Sequence, residues 1–158
     1  MPLTPKPPSA SATEMVQVVL PNDANPMGFM LGGAVMHLID IAGAIAAFRH
    51  AHELMVTAAV DGLEFLNPIK VGDFVVLKAR VTAVFTTSLE VEVTVFSEEA
   101  LTGKRQLTSR AHLTFVTLAR DGARAQIQPL LIESDEEKRQ QAEAGVRRTE
   151  RLARRARF

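Results

Sequence analysis

Residues Gly32 to His50 read GGAVMHLIDIAGAIAAFRH, and the fold turns on how that stretch is read. Its apolar residues (Ala34, Val35, Met36, Leu38, Ile39, Ile41, Ala42, Ala44, Ile45, Ala46, Ala47 and Phe48) leave almost no polar face, so a helix here needs cover on most sides. At 1.5 Å per residue, ~19 residues span about 28 Å, nearly a bilayer. His37, Asp40, Arg49 and His50 interrupt the run, and no topogenic flank adjoins it. The stretch therefore predicts a core helix wrapped by a sheet, with no membrane span.

Asp40 lies inside that run. An ionised carboxylate in such surroundings costs several kcal/mol unless it is paired, hydrogen-bonded or open to a wet cleft. Two roles fit: a structural aspartate bonded to loop amides, or a catalytic base or nucleophile at a pocket. Upstream, Gly28, Gly32 and Gly33 bring bare backbone to the helix start, where unpaired N–H groups and the helix dipole favour negative charge. That is the equipment for polarising a carbonyl.

The 158 residues fit one domain with a proper core. The 18 basic and 18 acidic residues cancel, so the overall field gives no reason to expect nucleic acid or an anionic membrane as partner. The absence of cysteine excludes a disulfide scaffold, a thiolate nucleophile and thiolate-bound metal. Met1 to Thr13 is rich in Pro, Ser and Ala without an apolar core, which predicts a disordered leader rather than a signal peptide, and hence a cytoplasmic protein.

Glu14 to Leu20 alternates as a short strand, stopped by Pro21 and the turn-prone run Asn22 to Pro26. After the helix the period changes to two. Val56 to Leu66 predicts a strand with a bulge or close approach near Asp61-Gly62. Phe74 to Val84 and Leu89 to Val95 put Val75, Leu77, Ala79, Val81, Leu89, Val91, Val93 and Val95 on one face, with Lys78, Arg80, Thr82, Glu90, Glu92 and Thr94 opposite. Arg105 to Leu118 completes four strands in meander spacing. One short strand, one buried helix and four strands predict α+β: a curved antiparallel sheet on a central helix. From Ser134 the tail has capping-box spacing, acidic residues first and arginines last, which predicts a solvated or loosely docked helix.

The motifs Asn25-Pro26-Met27-Gly28, Leu31-Gly32-Gly33, Met36, Ile39-Asp40, Val60-Asp61, Phe65 to Asp73, Thr87 to Val91 and Leu113 to Val116 stand in this order and spacing. Together they resemble the hotdog-fold acyl-CoA thioesterases, specifically the broad-specificity bacterial acyl-CoA hydrolases related to the brain-type cytosolic enzymes. The resemblance implies a hotdog domain over residues 14–130, after a leader of residues 1–13 and before a charged helical tail of residues 131–158. It implies sheets paired edge to edge in a homodimer, with the active sites at that interface, and a trimer of dimers. The implied reaction is hydrolysis of acyl-CoA to free acid and CoA, without cofactor or metal.

Carried over residue by residue, the resemblance makes Asp40 the base or nucleophile, and amides around Leu31, Gly32 and Gly33 the oxyanion donors. Asn25 orients the water or the CoA arm, or caps its turn. Gly28, Phe29 and Leu31 line the substrate, Asp61 and Glu64 lie in the strand beside it, and Thr87 and Ser88 meet the nucleotide end of CoA. Two departures stand out. Phe29 replaces a small or polar residue and narrows the site. Phe85-Thr86 replaces Gly-Arg, removing a phosphate-binding charge, which implies either a lower CoA affinity or substitution by Arg80, Lys104, Arg105 or Arg110. Two other readings remain on the same fold: a non-catalytic acyl-CoA-binding module, and a dehydratase. Of the four histidines, His37 shares Asp40's helix face, His50 and His52 are expected at a solvated helix end, and His112 opposite Phe115. No pair has metal-ligand spacing.

Overall fold

A computed structural model describes residues 3–158; Met1 and Pro2 lie outside the described residues. The elements run β1 (Thr13–Val18), α1 (Gly32–Ala51), β2 (Met55–Phe65), β3 (Phe74–Val84), β4 (Ser88–Glu98), β5 (Arg105–Thr117), a small hairpin of β6 (Ala119–Arg120) and β7 (Ala123–Arg124), and α2 (Asp135–Arg155). The five long strands form one antiparallel sheet in the order β1-β3-β4-β5-β2. This is the hotdog architecture: a sheet curled around one long helix.

Period-two alternation builds the concave face. Leu77, Val81, Leu89, Val91, Val93, Val95 and Leu113 are fully buried against Ala42, Ala46 and Ala47 of α1. Removing a Leu or Phe side chain from water contributes about 1.5–3 kcal/mol each. Small residues let helix and sheet approach closely. At Gly43 a Cβ would stand 3.3 Å from the Phe115 ring, so a side chain there would require the ring to shift by a few tenths of an ångström.

The meander expectation holds for β3, β4 and β5 only. β2 pairs with β5 instead, because both edges of β3 are taken, by β1 and β4. The β2–β3 connection passes the start of α1, where Met30 N–H donates to Ile69 O at 2.7 Å and Val71 N–H to Gly28 O at 3.0 Å. The loop before the helix is thereby stitched to the loop after β2.

Three further expectations are corrected. Residues 3–12 of the leader are not disordered: Ser11 is fully buried, and Lys6 Nζ donates to the carbonyls of Arg49 (2.7 Å) and His50 (2.9 Å). The segment is retained because the last carbonyls of α1 need donors; His52, left-handed at φ 50, supplies another to Phe48 O. His50 is not solvated but fully buried, its ring bonded to Gln128 O at 2.7 Å. The tail helix is not loosely docked. It crosses the convex face of the sheet, where Glu90, outward by parity, is only 2% exposed beneath it. Its apolar residues are few, so polar contacts hold it: Arg147 grips Glu90 through two hydrogen bonds of 2.7 and 2.9 Å, and Arg80 donates to Gln140 at 2.9 Å.

Candidate active site

Asp40 projects from α1 on the side that the sheet leaves open, with Gly33, Met36 and His37 exposed on the same stripe. Its carboxylate is exposed rather than enclosed, and the Thr57 hydroxyl donates to its Oδ1 at 2.6 Å. Thr57 stands opposite Phe115 in the β2–β5 ladder, which turns it inward toward the helix. Sequence reasoning did not single out this threonine. Its parity would have found it only once the bulge after it was known.

Two turns before Asp40, α1 begins. Among the described residues the N–H groups of Gly32 and Gly33 have no acceptor, whereas Ala34 and Val35 donate back to Leu31 O. Leu31 was expected to contribute its amide as well, but that N–H is used by Asp23 O at 2.8 Å. Gly32 and Gly33 are therefore the free donors, and the positive end of the dipole lies behind them. Leu31 instead offers an exposed side chain.

Asn25 caps its own loop. Its Oδ1 accepts from Met27 N–H (3.0 Å) and Phe29 N–H (3.1 Å), while its Nδ2 has no partner among the described residues. Gly28 turns the chain at φ 84, a left-handed angle that suits glycine. Phe29 pairs with Lys70 as an isolated bridge and is half-buried. Beside Gly32 opens a cavity of about 340 Å³ lined by Met30, Val35, Phe65, Leu66, Ile69 and Thr108, among others.

Other candidates lie elsewhere. Asp61, expected beside substrate, points to the convex face, where Arg151 (2.9 Å) and Arg154 (3.1 Å) take it up. The bulge after Thr57 reverses the parity between the two residues, so they face opposite ways. Glu64 is exposed, its carbonyl accepting from the Ser109 hydroxyl. Thr87 and Ser88 sit at the β3–β4 hairpin, beside the start of β2, at the end of the sheet away from Gly32. At that hairpin the Arg148 guanidinium lies 4.8 Å over the Phe85 ring, so the tail returns a cation to the place where Gly-Arg was missing. His37 makes no bond to Asp40; it lines a separate cleft with Gln17 and Asp23. His112 bonds Glu92 at 3.0 Å on the convex face and holds that carboxyl below its ordinary value.

The thioesterase superfamily profile matches residues 27–104. The uncharacterized acyl-CoA thioester hydrolase YkhA of Bacillus subtilis is 40% identical over 119 residues, covering 75% of this chain and 69% of that protein. The chain belongs to the acyl-CoA thioester hydrolases.

The human cytosolic acyl coenzyme A thioester hydrolase is 32% identical over 133 residues; the match covers 83% of this chain but only 35% of the human protein. Among solved structures, an apo-hexameric acyl-CoA thioesterase superposes with a TM-score of 0.90 at 36% identity, covering 98% of this chain and 99% of that one. A Staphylococcus aureus acyl-CoA hydrolase, solved with butyryl-CoA, CoA and CoA disulfide, gives 0.87 at 36% identity over 96% and 93%. That protein has also been solved with an aspartate, an asparagine or a threonine replaced by alanine.

Proposed function

We propose that the hydrolase cleaves acyl-CoA to free acid and CoA at Asp40, in a slot that two protomers complete. What carries this reading is an exposed carboxylate on an apolar helix, held by one hydroxyl, with acceptor-free amides on the same stripe. Gly33 and Asp40 are seven residues apart, about 10 Å of rise. Between them there is room for a water and a thioester carbonyl in line, since each hydrogen bond spans about 3 Å.

Asp40 either activates water or attacks the carbonyl carbon itself. In the first route Oδ2, left free by Thr57, takes a proton as the water oxygen bonds to carbon. The C=O electron pair moves onto oxygen, which the Gly32 and Gly33 N–H groups receive; loss of one such donor typically costs about 3 kcal/mol. Collapse re-forms C=O, breaks the C–S bond and releases the CoA sulfur, which takes up a proton. Asn25 Nδ2 is the free side-chain donor for the water or the thioester. The replaced aspartate, asparagine and threonine of the Staphylococcus aureus relative are each numbered three higher than Asp40, Asn25 and Thr57, and one common offset for all three supports this set.

The cavity beside Gly32 receives the acyl group, and Arg148 with the Thr87-Ser88 hairpin offers charge and hydroxyls to the nucleotide end of CoA. The outer edge of β2 is unpaired, and Val56, Val60, Phe65 and Leu66 around it are 44–57% exposed. Such an edge is a template for a second copy. A hexamer built as a trimer of these dimers agrees with the hexameric relatives, and a cytoplasmic site of action with the cytosolic one.

The test is release of CoA thiol from acyl-CoAs of graded chain length. Asp40→Asn is expected to lose about 10²- to 10⁴-fold in kcat. Full turnover by that variant would reject the assignment; a wild type that binds acyl-CoA without releasing thiol would make the protein a binding module.

A further inference from the structure

We propose that the cavity beside Gly32 limits the acyl group to about a dozen carbons, and that Phe65 and Val35 set this limit. The proposal rests on acyl-CoA being cleaved at Asp40 with the Gly32 amide on its carbonyl oxygen, and it names the substrate class that this site selects. The Phe65 ring lies against the backbone of Gly32, where a Cβ would stand 3.4 Å from two of its ring carbons. A carbonyl oxygen received by the Gly32 N–H therefore puts the first carbons of the acyl chain beside that ring, at the entrance of the cavity of about 340 Å³. The walls of this cavity are of two kinds. Some are sewn backbone: Met30 N–H donates to Ile69 O at 2.7 Å on one side, and beyond Phe65 the Leu66 N–H donates to Thr108 O at 2.8 Å and Asn67 Nδ2 to Leu107 O at 2.7 Å. A hydrocarbon chain cannot pass between hydrogen-bonded segments without orphaning their polar groups, so these walls are fixed stops.

The remaining walls are side chains, and these set the size. Val35, one turn into α1 and 2% exposed, is the floor. Phe65, 50% exposed, is the outer wall, at the end of β2 where the second protomer closes against the sheet. A dry cavity of about 150 Å³ lined by aliphatic and aromatic side chains takes up one benzene, which is about 25 Å³ per carbon. At that density the cavity holds about a dozen carbons. Each methylene that enters contributes about four-fold to affinity. The next one, finding no room, stays in water or forces a wall. The phenyl ring of Phe65 itself fills about the space of that benzene, so removing it makes room for about six more carbons. A phenyl ring in place of the Val35 side chain adds about four carbons to the floor and takes that much room away.

The experiment uses the full-length assembled protein and measures kcat/KM for thiol release from hexanoyl-, octanoyl-, dodecanoyl- and hexadecanoyl-CoA below their micelle concentrations. Thermal unfolding and assembly mass serve as controls. Ratios between chain lengths are compared, so a general loss of activity cancels. Wild type is expected to favour octanoyl over hexadecanoyl by about ten-fold or more, and Phe65→Ala to shrink that preference about ten-fold. Val35→Phe is expected to lower the dodecanoyl-to-hexanoyl ratio about ten-fold. If Phe65→Ala does not assemble, Val35→Phe decides, because Val35 lies inside one protomer; if the added ring prevents folding, Val35→Leu is expected to move the same ratio about four-fold. The proposal is overturned by a wild type that cleaves hexadecanoyl-CoA as well as octanoyl-CoA, or by an unchanged ratio in a variant that folds and assembles. These outcomes are separable from the catalytic assignment: thiol release that Asp40→Asn abolishes at every chain length, with a flat wild-type profile, sinks the size limit alone, whereas full turnover by Asp40→Asn sinks the site.

Discussion

Replacing Arg147 by methionine isolates the contact that seats the tail helix. Glu90 is 2% exposed and accepts three hydrogen bonds: from Arg147 Nη2 at 2.7 Å, Arg147 Nε at 2.9 Å and Thr82 Oγ1 at 2.6 Å. Arg147→Met removes two of the three and leaves a buried carboxylate facing one hydroxyl. Breaking such a pair from one side costs about 3–5 kcal/mol, and with Arg147 itself 22% exposed the lower end applies, about 3 kcal/mol. At this chain length 1 kcal/mol moves Tm by about 2–4 °C, so the variant is expected to melt roughly 6–12 °C lower. The measurement is thermal unfolding by circular dichroism at fixed protein concentration, because an assembled protein's Tm depends on it. The double variant Glu90→Leu/Arg147→Met should recover most of the loss, since two apolar groups in place of a buried ion pair are often neutral or better. A single variant melting within 2 °C of wild type, or a double variant no better than the single, would refute the reasoning.

Two further outcomes follow from the same geometry. His50 is fully buried, and burial, then the nearby charge of Lys6, hold its pKa below the ordinary histidine value against the raising effect of its bond to Gln128 O. The unfolded chain therefore binds that proton more readily, so the stability this group contributes is complete above about pH 6.5 and is lost as pH falls below it. Urea midpoints should decline from pH 7 to pH 5 in wild type and decline less in His50→Gln; equal slopes would reject the role. Val60, 45% exposed near the open edge of β2, is expected to sit between protomers, so Val60→Lys should lower both the assembly mass by light scattering and thiol release. Wild-type mass with wild-type turnover would move the interface elsewhere.

Much of the fold was legible because burial leaves a period. The apolar run of α1 and the alternation of β3 and β4 state which faces meet, and those faces do meet in the core. Asp40 stood out for a related reason, as one charge among residues that otherwise avoid water. Asp61 and Thr57 were misjudged or missed because bulges reset parity, and a bulge depends on pairing with β5, a strand some fifty residues away. Glu90 read correctly as outward-facing, yet outward proved to be beneath α2, and only the arginines that meet it make that position tolerable.

Local patterning determined the element types, the central helix and the acidic residue that interrupts it, since these depend on neighbours within a few positions along the chain. The strand order, the pairing of Thr57 with Asp40, the use of the Leu31 amide by Asp23 and the seating of the charged tail were decided only in three dimensions. Each of these joins groups far apart in sequence, and hydrogen bonds and ion pairs, unlike hydrophobic burial, carry no periodicity from which a partner can be read.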